Sequence, residues 1–167
     1  MKTLYLECNM GAAGDMLMAA LYELLSEEQK KSFLDTMNGL GLPGVEVAPV
    51  AAKTSGIAGT HMKVTVHGHE EHDHDHHDHE HHHEHHHHHA TPGHIGEIID
   101  GLSLPREVRE KARQVYDAIA QAEAQAHGCG VGDVHFHEVG ALDAVADVVG
   151  VCYAMYLLDP DLVTASP

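Results

Sequence analysis

Cysteine is scarce in this sequence: its 167 residues include three, Cys8, Cys129 and Cys152. An odd number of cysteines without C-x-x-C spacing argues against both a disulfide framework and a thiolate zinc site. Long apolar runs are also missing, since no stretch approaches the roughly 18 apolar residues of a membrane span. The amino terminus lacks the basic start and apolar core of a signal peptide. We therefore expect a cytoplasmic protein.

Basic residues are few as well. Nine Lys and Arg residues oppose 26 Asp and Glu residues, so the formal net charge is −17 with histidine neutral. Such a surface repels phosphate backbones and anionic lipid, which argues against nucleic acid and membrane surfaces as partners. The length suits one domain, so we expect one globular unit that is interrupted once.

The interruption is a low-complexity segment, residues 67–89, which we call the histidine tract. It consists of fifteen histidines, seven acidic residues and Gly68. Because it has no apolar side chain to bury, we expect a disordered loop between residues 1–66 and 90–167, the two halves of one domain. An engineered tag is a weaker explanation, since tags are terminal and uniform.

The tract is predicted to bind transition metals. Neutral imidazole suits zinc, copper, iron and nickel, and a flexible loop can satisfy several coordination geometries. The tract does not identify its metal, because affinity order alone favours copper, and storage or delivery suits it better than catalysis. The predicted ligands are His67, His69, His72, His74, His76, His77, His79, His81, His82, His83, His85, His86, His87, His88 and His89.

The first half of the chain predicts a β-α-α-β-β order. Residues 3–6 resemble a short strand, followed by a turn and a helix with an apolar stripe. Ser26 and Gln29 have the spacing of a capping box, which begins a second helix. Residues 45–51 and 57–67 alternate as two strands of a hairpin. The expected class is α/β or α+β, with a small mixed sheet and packed helices.

The second half is predicted to be mainly helical. A long amphipathic helix follows Pro105 and ends at Gly128. Residues 134–137 alternate as an extended segment, and residues 141–158 are apolar enough for a mostly buried helix. Residues 162–165 begin another strand, so we expect a truncated protein or one part of a split protein.

A second group of polar residues lies near that buried helix. His135 and His137 share a face if their segment is extended, and Glu138 follows them, whereas Asp143 and Asp147 share a helix face. The two imidazoles and the two aspartate carboxylates could converge at the strand-to-helix junction. The alternative is structural, with the carboxylates capping the helix or binding buried backbone. Buried carboxylates need partners or a metal, which keeps a functional site open.

A third pattern lies at the first strand-to-helix turn. Gly11, Gly14 and Asp15 surround backbone amides that can hold an anion. The turn lacks the Gly-Lys-Ser/Thr of a P-loop, and Asp15 would repel a bare phosphate, so a phosphate needs a metal ion or another cation there. Alternatively, the glycines form a tight turn and Asp15 stabilises the helix dipole. Cys8 precedes this turn as a soft ligand or a buried residue.

These motifs together resemble one family. The sequences YLEC at 5–8, GAAGDM at 11–16, HFHEVGALD at 135–143 and DVVG at 147–150, with the histidine tract, are similar to the LarC family of nickel insertion proteins. The resemblance covers almost the whole chain. It implies a lyase-class, CTP-dependent enzyme that places nickel into pyridinium-3,5-bisthiocarboxylic acid mononucleotide for lactate racemase maturation, forming carbon–nickel and sulfur–nickel bonds.

The resemblance also implies roles for the residues. The tract becomes a nickel reservoir; His135, His137 and Glu138 would position metal or substrate, and Asp15 would organise the substrate phosphate through a cation. CTP and magnesium would bind a C-terminal segment that this sequence lacks, so the chain alone is expected to be incomplete. The alternatives are a nonenzymatic nickel or zinc store or metallochaperone, and an inactive fragment. The sequence is compatible with a homo-oligomer but does not require one.

Overall fold

The computed structural model describes residues 1–9, 11–70, 90–136 and 138–166, which form five α-helices and four β-strands. The strands are β1 Thr3–Leu6, β2 Val45–Thr54, β3 Ile57–Val66 and β4 Leu162–Ala165. The helices are α1 Gly14–Leu24, α2 Glu27–Asn38, α3 Pro92–Gly101, α4 Arg106–His127 and α5 Leu142–Leu158. Two short 3-10 helices, Val131–Asp133 and Glu138–Gly140, lie between α4 and α5. The predicted α/β class is confirmed.

The strands form two separate two-stranded sheets. β1 and β4 are parallel and come from opposite ends of the chain. β2 and β3 form the predicted antiparallel hairpin, in which Val45 pairs with Val66. The two turn residues, Ser55 and Gly56, have φ values of 51° and 86°. Two consecutive positive φ values suit a tight turn whose twist matches that of the strands.

Helix boundaries follow local signals. Ser26 accepts a hydrogen bond from the backbone N–H of Gln29, whose side chain accepts one from the backbone N–H of Ser26, so the predicted capping box is confirmed. The Gln29 amide also donates to the carbonyl of Leu157 at 2.7 Å, which ties α2 to the end of α5. Gly128 ends α4 in the left-handed conformation, as a C-terminal glycine should.

Helix α3 is a difference from the sequence prediction, which begins helical structure only near Pro105. Its first turn has a recognisable signal, because Thr91 accepts a hydrogen bond from the backbone N–H of His94 and Pro92 follows Thr91. Ile95 and Ile99, four residues apart, are fully buried. The helix therefore forms by the same rules as the others, and only its shortness beside the tract hid it.

The predicted extended segment is a second difference. Within residues 134–136, only Phe136 pairs with another segment, through one isolated bridge to Ala90. The 3-10 helices on either side leave too few residues for a regular strand. His137 lies outside the described residues, so the expected common face of His135 and His137 is not tested.

Helix α5 is the central element of the core. Val145, Ala146 and Val149 are fully buried, and the predicted buried helix is thereby confirmed. At Gly150 an added Cβ would collide with the sulfur of Met18 and lie 3.2 Å from Cε of Met37, so α1 approaches α5 closely. Among the described residues, no helix combines the length and apolar character that crossing a membrane requires.

The capping box yields a stability prediction. Ser26→Ala should lower the free energy of unfolding by about 1 kcal/mol, because the N–H of Gln29 loses its acceptor. Ser32→Ala is the matched control, since Ser32 is exposed within the same helix and alanine favours helix. Chemical denaturation of both variants checks the difference. Equal stabilities would show that the cap contributes nothing.

Candidate functional site

The site begins where the first turn of α1 meets α5. A Cβ placed on Gly14 would lie 2.6 Å from Cβ of Asp147 and 2.9 Å from its Oδ2, so only glycine allows this approach. The N-cap of α1, Ala13, has no side chain that can cap the helix. A backbone hydrogen bond joins Asp15 to the Asp147 carboxylate. The carboxylate of α5 therefore occupies the N-terminus of α1, which favours negative charge.

This arrangement changes the interpretation of the turn formed by Gly11, Gly14 and Asp15. Gly11 has a φ of 106°, and its N–H donates to the carbonyl of Cys8 at 3.1 Å, so it serves the tight turn that was expected as one alternative. The backbone amide that a phosphate would approach next to Gly14 already bonds Asp147. An anion from outside would compete with an internal carboxylate there.

Three carboxylates converge at this place. Burial, followed by repulsion from Asp15 and Asp143, raises the pKa of Asp147 to about 7. The Oδ1 atoms of Asp143 and Asp147 are buried and have no hydrogen-bond partner among the described residues. Asp143 lies in the first turn of α5, where the helix dipole favours its charge. Within the described part of the chain, two buried oxygens of the cluster therefore lack a hydrogen-bond donor.

Tyr116 of α4 connects the cluster to the 3-10 helix that contains Glu138. Its hydroxyl donates to the carbonyl of Val139 at 3.0 Å. Burial, together with the nearby carboxylates of Asp143 and Asp147, raises the pKa of Tyr116 well above its usual range. The hydroxyl therefore stays protonated and holds this backbone beside the two aspartates.

The predicted histidine contribution is only partly described. His135 is exposed and interacts with another group. His137 and the side chain of Glu138 lie outside what the structure describes, although the backbone of Glu138 belongs to the second 3-10 helix. The convergence of His135, His137 and Glu138 with the aspartates therefore stays a prediction.

A different histidine lies beside the carboxylates. Nδ1 of His61 on β3 is 4.0 Å from Oδ2 of Asp15, and its Nε2 is 3.0 Å from Oε1 of Glu70. Lys63 lies 3.1 Å from the other oxygen of Glu70. The hydrogen bond from His61, which has the largest effect, and the one from Lys63 lower the pKa of Glu70. This group was not predicted from the sequence, although His61 and Lys63 alternate with the buried Met62 and so share the outer strand face.

The first residues of the histidine tract lie next to His61, and Ala90, which follows the tract, lies beside the second 3-10 helix. At the first end, the N–H of His67 donates to the carbonyl of Gly44, and His69 pairs with Val66, which brings Glu70 back to His61. Residues 67–69 therefore form a hydrogen-bonded turn directly after β3. The other predicted tract ligands, from His72 to His89, lie outside the described residues.

At the second end, Ala90 accepts a hydrogen bond from the backbone N–H of Phe136 at 2.8 Å. A Cβ on Gly140 would lie 2.9 Å from that of Ala90 and 3.0 Å from that of Phe136. Glu70 therefore lies beside His61, and Ala90, the first residue after the tract, lies beside the second 3-10 helix. Across the described ranges, no group of three or more His, Cys, Asp or Glu side chains is arranged to hold a metal ion.

Comparison with known proteins agrees with the sequence resemblance. Residues 4–167 match the model of a family described as nickel insertion protein. A putative nickel insertion protein of Geotalea daltonii is 38% identical to the chain, and the match covers 100% of the chain and 38% of that relative. A pyridinium-3,5-bisthiocarboxylic acid mononucleotide nickel insertion protein of Lactiplantibacillus plantarum is 40% identical, with 100% and 40% covered.

A protein of the same name from Acetivibrio thermocellus is 36% identical, with coverage of 100% of the chain and 39% of that relative. The chain thus spans about two fifths of the length of the curated relatives it matches. No solved structure matches the chain.

The raised pKa of Asp147 predicts a pH effect. An unfolded aspartate titrates near pH 4, whereas Asp147 in the fold titrates near pH 7. The folded state therefore binds more protons between these values, and stability falls as pH rises through that range. Asp147→Asn should remove this loss, so its melting temperature relative to the parent should rise from pH 4.5 to pH 8.

Thermal unfolding in the presence of a chelator measures this difference. Asp117→Asn is the control, because Asp117 is exposed on α4. Its melting temperature relative to the parent should not change with pH. Parallel pH profiles for Asp147→Asn and the parent would show that the carboxylate is not destabilised by burial.

Proposed function

Because the chain belongs to the nickel insertion protein family, we propose that it takes part in placing nickel into pyridinium-3,5-bisthiocarboxylic acid mononucleotide, the compound in its relatives' names. The observation that carries the proposal is the cluster of Asp15, Asp143 and Asp147, with two buried oxygens that lack partners among the described residues. Glu70 of the histidine tract contacts His61 beside Asp15, and Ala90, which follows the tract, contacts Phe136.

The tract supplies the nickel. Its fifteen imidazoles hold several ions in exchangeable complexes, and its seven carboxylates raise the local cation concentration. Since Glu70 contacts His61, an ion that leaves the first part of the tract is released near Asp15. The tract therefore acts as a nickel reservoir tethered at the site.

The aspartate cluster receives the cation. A divalent ion near Asp143 and Asp147 would relieve their mutual repulsion and provide the partner that their buried oxygens lack. The described residues alone offer no complete ligand set, so the substrate completes the coordination with its two thiocarboxylates. Sulfur is a softer donor than imidazole or carboxylate, which favours transfer of nickel towards the substrate.

A proton acceptor is needed for the carbon–nickel bond. As that bond forms, the ring C–H bond breaks and its proton passes to a base, without any change in oxidation state. We assign this role to His61, because Glu70 fixes one ring nitrogen by a 3.0 Å hydrogen bond and the other faces the cluster. Glu138, which the family resemblance places with metal or substrate, is the alternative acceptor.

The remaining steps belong to the part of the family protein outside this chain. We place CTP and magnesium there, in the C-terminal segment, because the net charge of −17 opposes a polyanionic nucleotide. Asp147 also occupies the anion position at α1. The full activity is that of a lyase-class nickel insertase that serves lactate racemase maturation, and this chain alone does not complete it.

A nonenzymatic nickel store or metallochaperone is the second candidate function. The histidine tract by itself supports it, because fifteen imidazoles suffice for binding. An insertion assay separates the two functions. A store delivers nickel without forming the carbon–nickel bond, whereas an insertase yields a product that keeps its nickel during chromatography with chelator.

Tract deletion tests the reservoir. Removing residues 71–89 and joining Glu70 to Ala90 through a short glycine-serine linker should remove most bound nickel, because most of the imidazoles are lost. The metal-free melting temperature should match that of the parent, since the deleted residues carry no apolar side chain. Metal analysis and thermal unfolding measure the two effects. Full nickel retention by the deletion variant would contradict the reservoir role.

The base assignment is tested by rate. In one polypeptide that joins this chain to the remaining region of the Lactiplantibacillus relative, His61→Asn should slow nickel insertion by about 100-fold or more, with nickel content unchanged. His94→Asn is the control, since His94 is exposed on α3. A parental rate in His61→Asn combined with a loss in Glu138→Gln would transfer the role to Glu138. Parental rates in both would remove the proton-transfer proposal.

A further inference from the structure

An apolar groove opens on the side of the molecule where α4, α5 and β4 meet. It has a volume of about 570 Å³. The residues that line it and carry the argument are Val115, Val151, Cys152, Met155, Tyr156 and Val163. Burial raises the pKa of Cys152 to about 11, so its thiol stays neutral and adds no charge to the groove.

The groove exposes one face of α5, a helix whose sequence suits complete burial. α5 is apolar on nearly every side apart from two aspartates, and such a helix is normally covered all round. Nevertheless Tyr156 remains 44% exposed, and Val115 of the facing helix remains 39% exposed. The core therefore covers the faces of α5 that meet α1 and α4 but not the face that looks into the groove.

The parallel sheet beside the groove is also uncovered. Parallel sheets normally carry further structure on both faces, whereas every residue of β4 is exposed, including Leu162 and Val163. In the described part of the chain, β1 and β4 pair only with each other. Each strand thus presents an edge at which backbone groups can accept another strand.

We propose that this groove and the adjacent edge of β4 form the docking surface for the remaining region of the family protein. The relatives supply the reason for this occupant, because about three fifths of their length lies outside the part that matches this chain. That region would insert apolar side chains between α4 and α5 and add a strand to the parallel sheet. This inference rests on the proposed function only in assuming that both regions act together.

The docking surface is connected to the aspartate cluster through α5. α5 carries Asp147 near its beginning and Met155 and Tyr156 near its end, so one rigid helix joins the aspartate cluster to the docking surface. The partner region would therefore be fixed relative to the aspartates. A substrate held by that region would be presented to the cluster at a defined position.

The test uses a single polypeptide in which this chain and the remaining region of the Lactiplantibacillus relative stand in their natural order, with a protease site between them. After cleavage the two parts should stay together in gel filtration and analytical ultracentrifugation. Val163→Asp and Val163→Lys should each weaken the complex by about tenfold or more, since either charge would be buried without a partner.

Val50→Asp is the matched control, because Val50 is 43% exposed and Val163 is 42% exposed, both in strands. It should leave the complex intact. Val115→Asp serves as a second groove variant, and thermal unfolding of each isolated variant chain shows whether it is folded. Loss of the complex in the folded groove variants alone supports the proposal.

Four outcomes would overturn it. The cleaved parts could separate in the parent, or they could stay together in the folded Val163 and Val115 variants. The isolated chain could also form a dimer that Val163→Asp disrupts, which would make a second copy the occupant. If Val163→Asp weakened the complex but Val163→Lys strengthened it, the contact would depend on charge and would not be apolar. None of these measurements involves nickel, so their failure is distinct from failure of the insertion proposal.

Discussion

The close approach of α1 to α5 at Gly14 is the constraint on which the site depends. Without a side chain at this position, the carboxylate of Asp147 reaches the first turn of α1 and receives a backbone hydrogen bond. That bond stabilises the charge only in part, because burial and two neighbouring aspartates oppose it. This cluster of carboxylates, held together by packing, is the place where we propose that the cation binds.

In the proposed function, metal capture is separate from metal placement. Capture needs many exchangeable ligands and no fixed geometry, which the composition of the histidine tract provides. Placement needs side chains held by packed elements, and here these come from α1, β3 and α5. The two are connected because Glu70 and Ala90, the described residues on either side of residues 71–89, contact His61 and Phe136.

Packing also supports the proposal that this chain acts together with a second region of the family protein. α5 is buried where it meets α1 and α4, yet it leaves an apolar groove beside a parallel sheet whose β4 strand is exposed. In the curated relatives the matched part makes up about two fifths of the chain. A surface of this kind on the helix that carries Asp147 provides a direct mechanical link between the aspartate cluster and a second region.

Features that depend on near neighbours in the chain could be predicted from the sequence. The capping box at Ser26, the hairpin, the end of α4 at Gly128 and the metal affinity expected of the tract follow from a few adjacent residues. The helix α3 obeyed the same local rules and was overlooked. Only the tertiary structure placed His61 beside Asp15 and Asp147 beside Gly14, because these pairs are far apart in sequence and meet through packing of α1 against β3 and α5. Local propensity carries no information about such contacts, so the aspartates could be identified from sequence, whereas their partners could not.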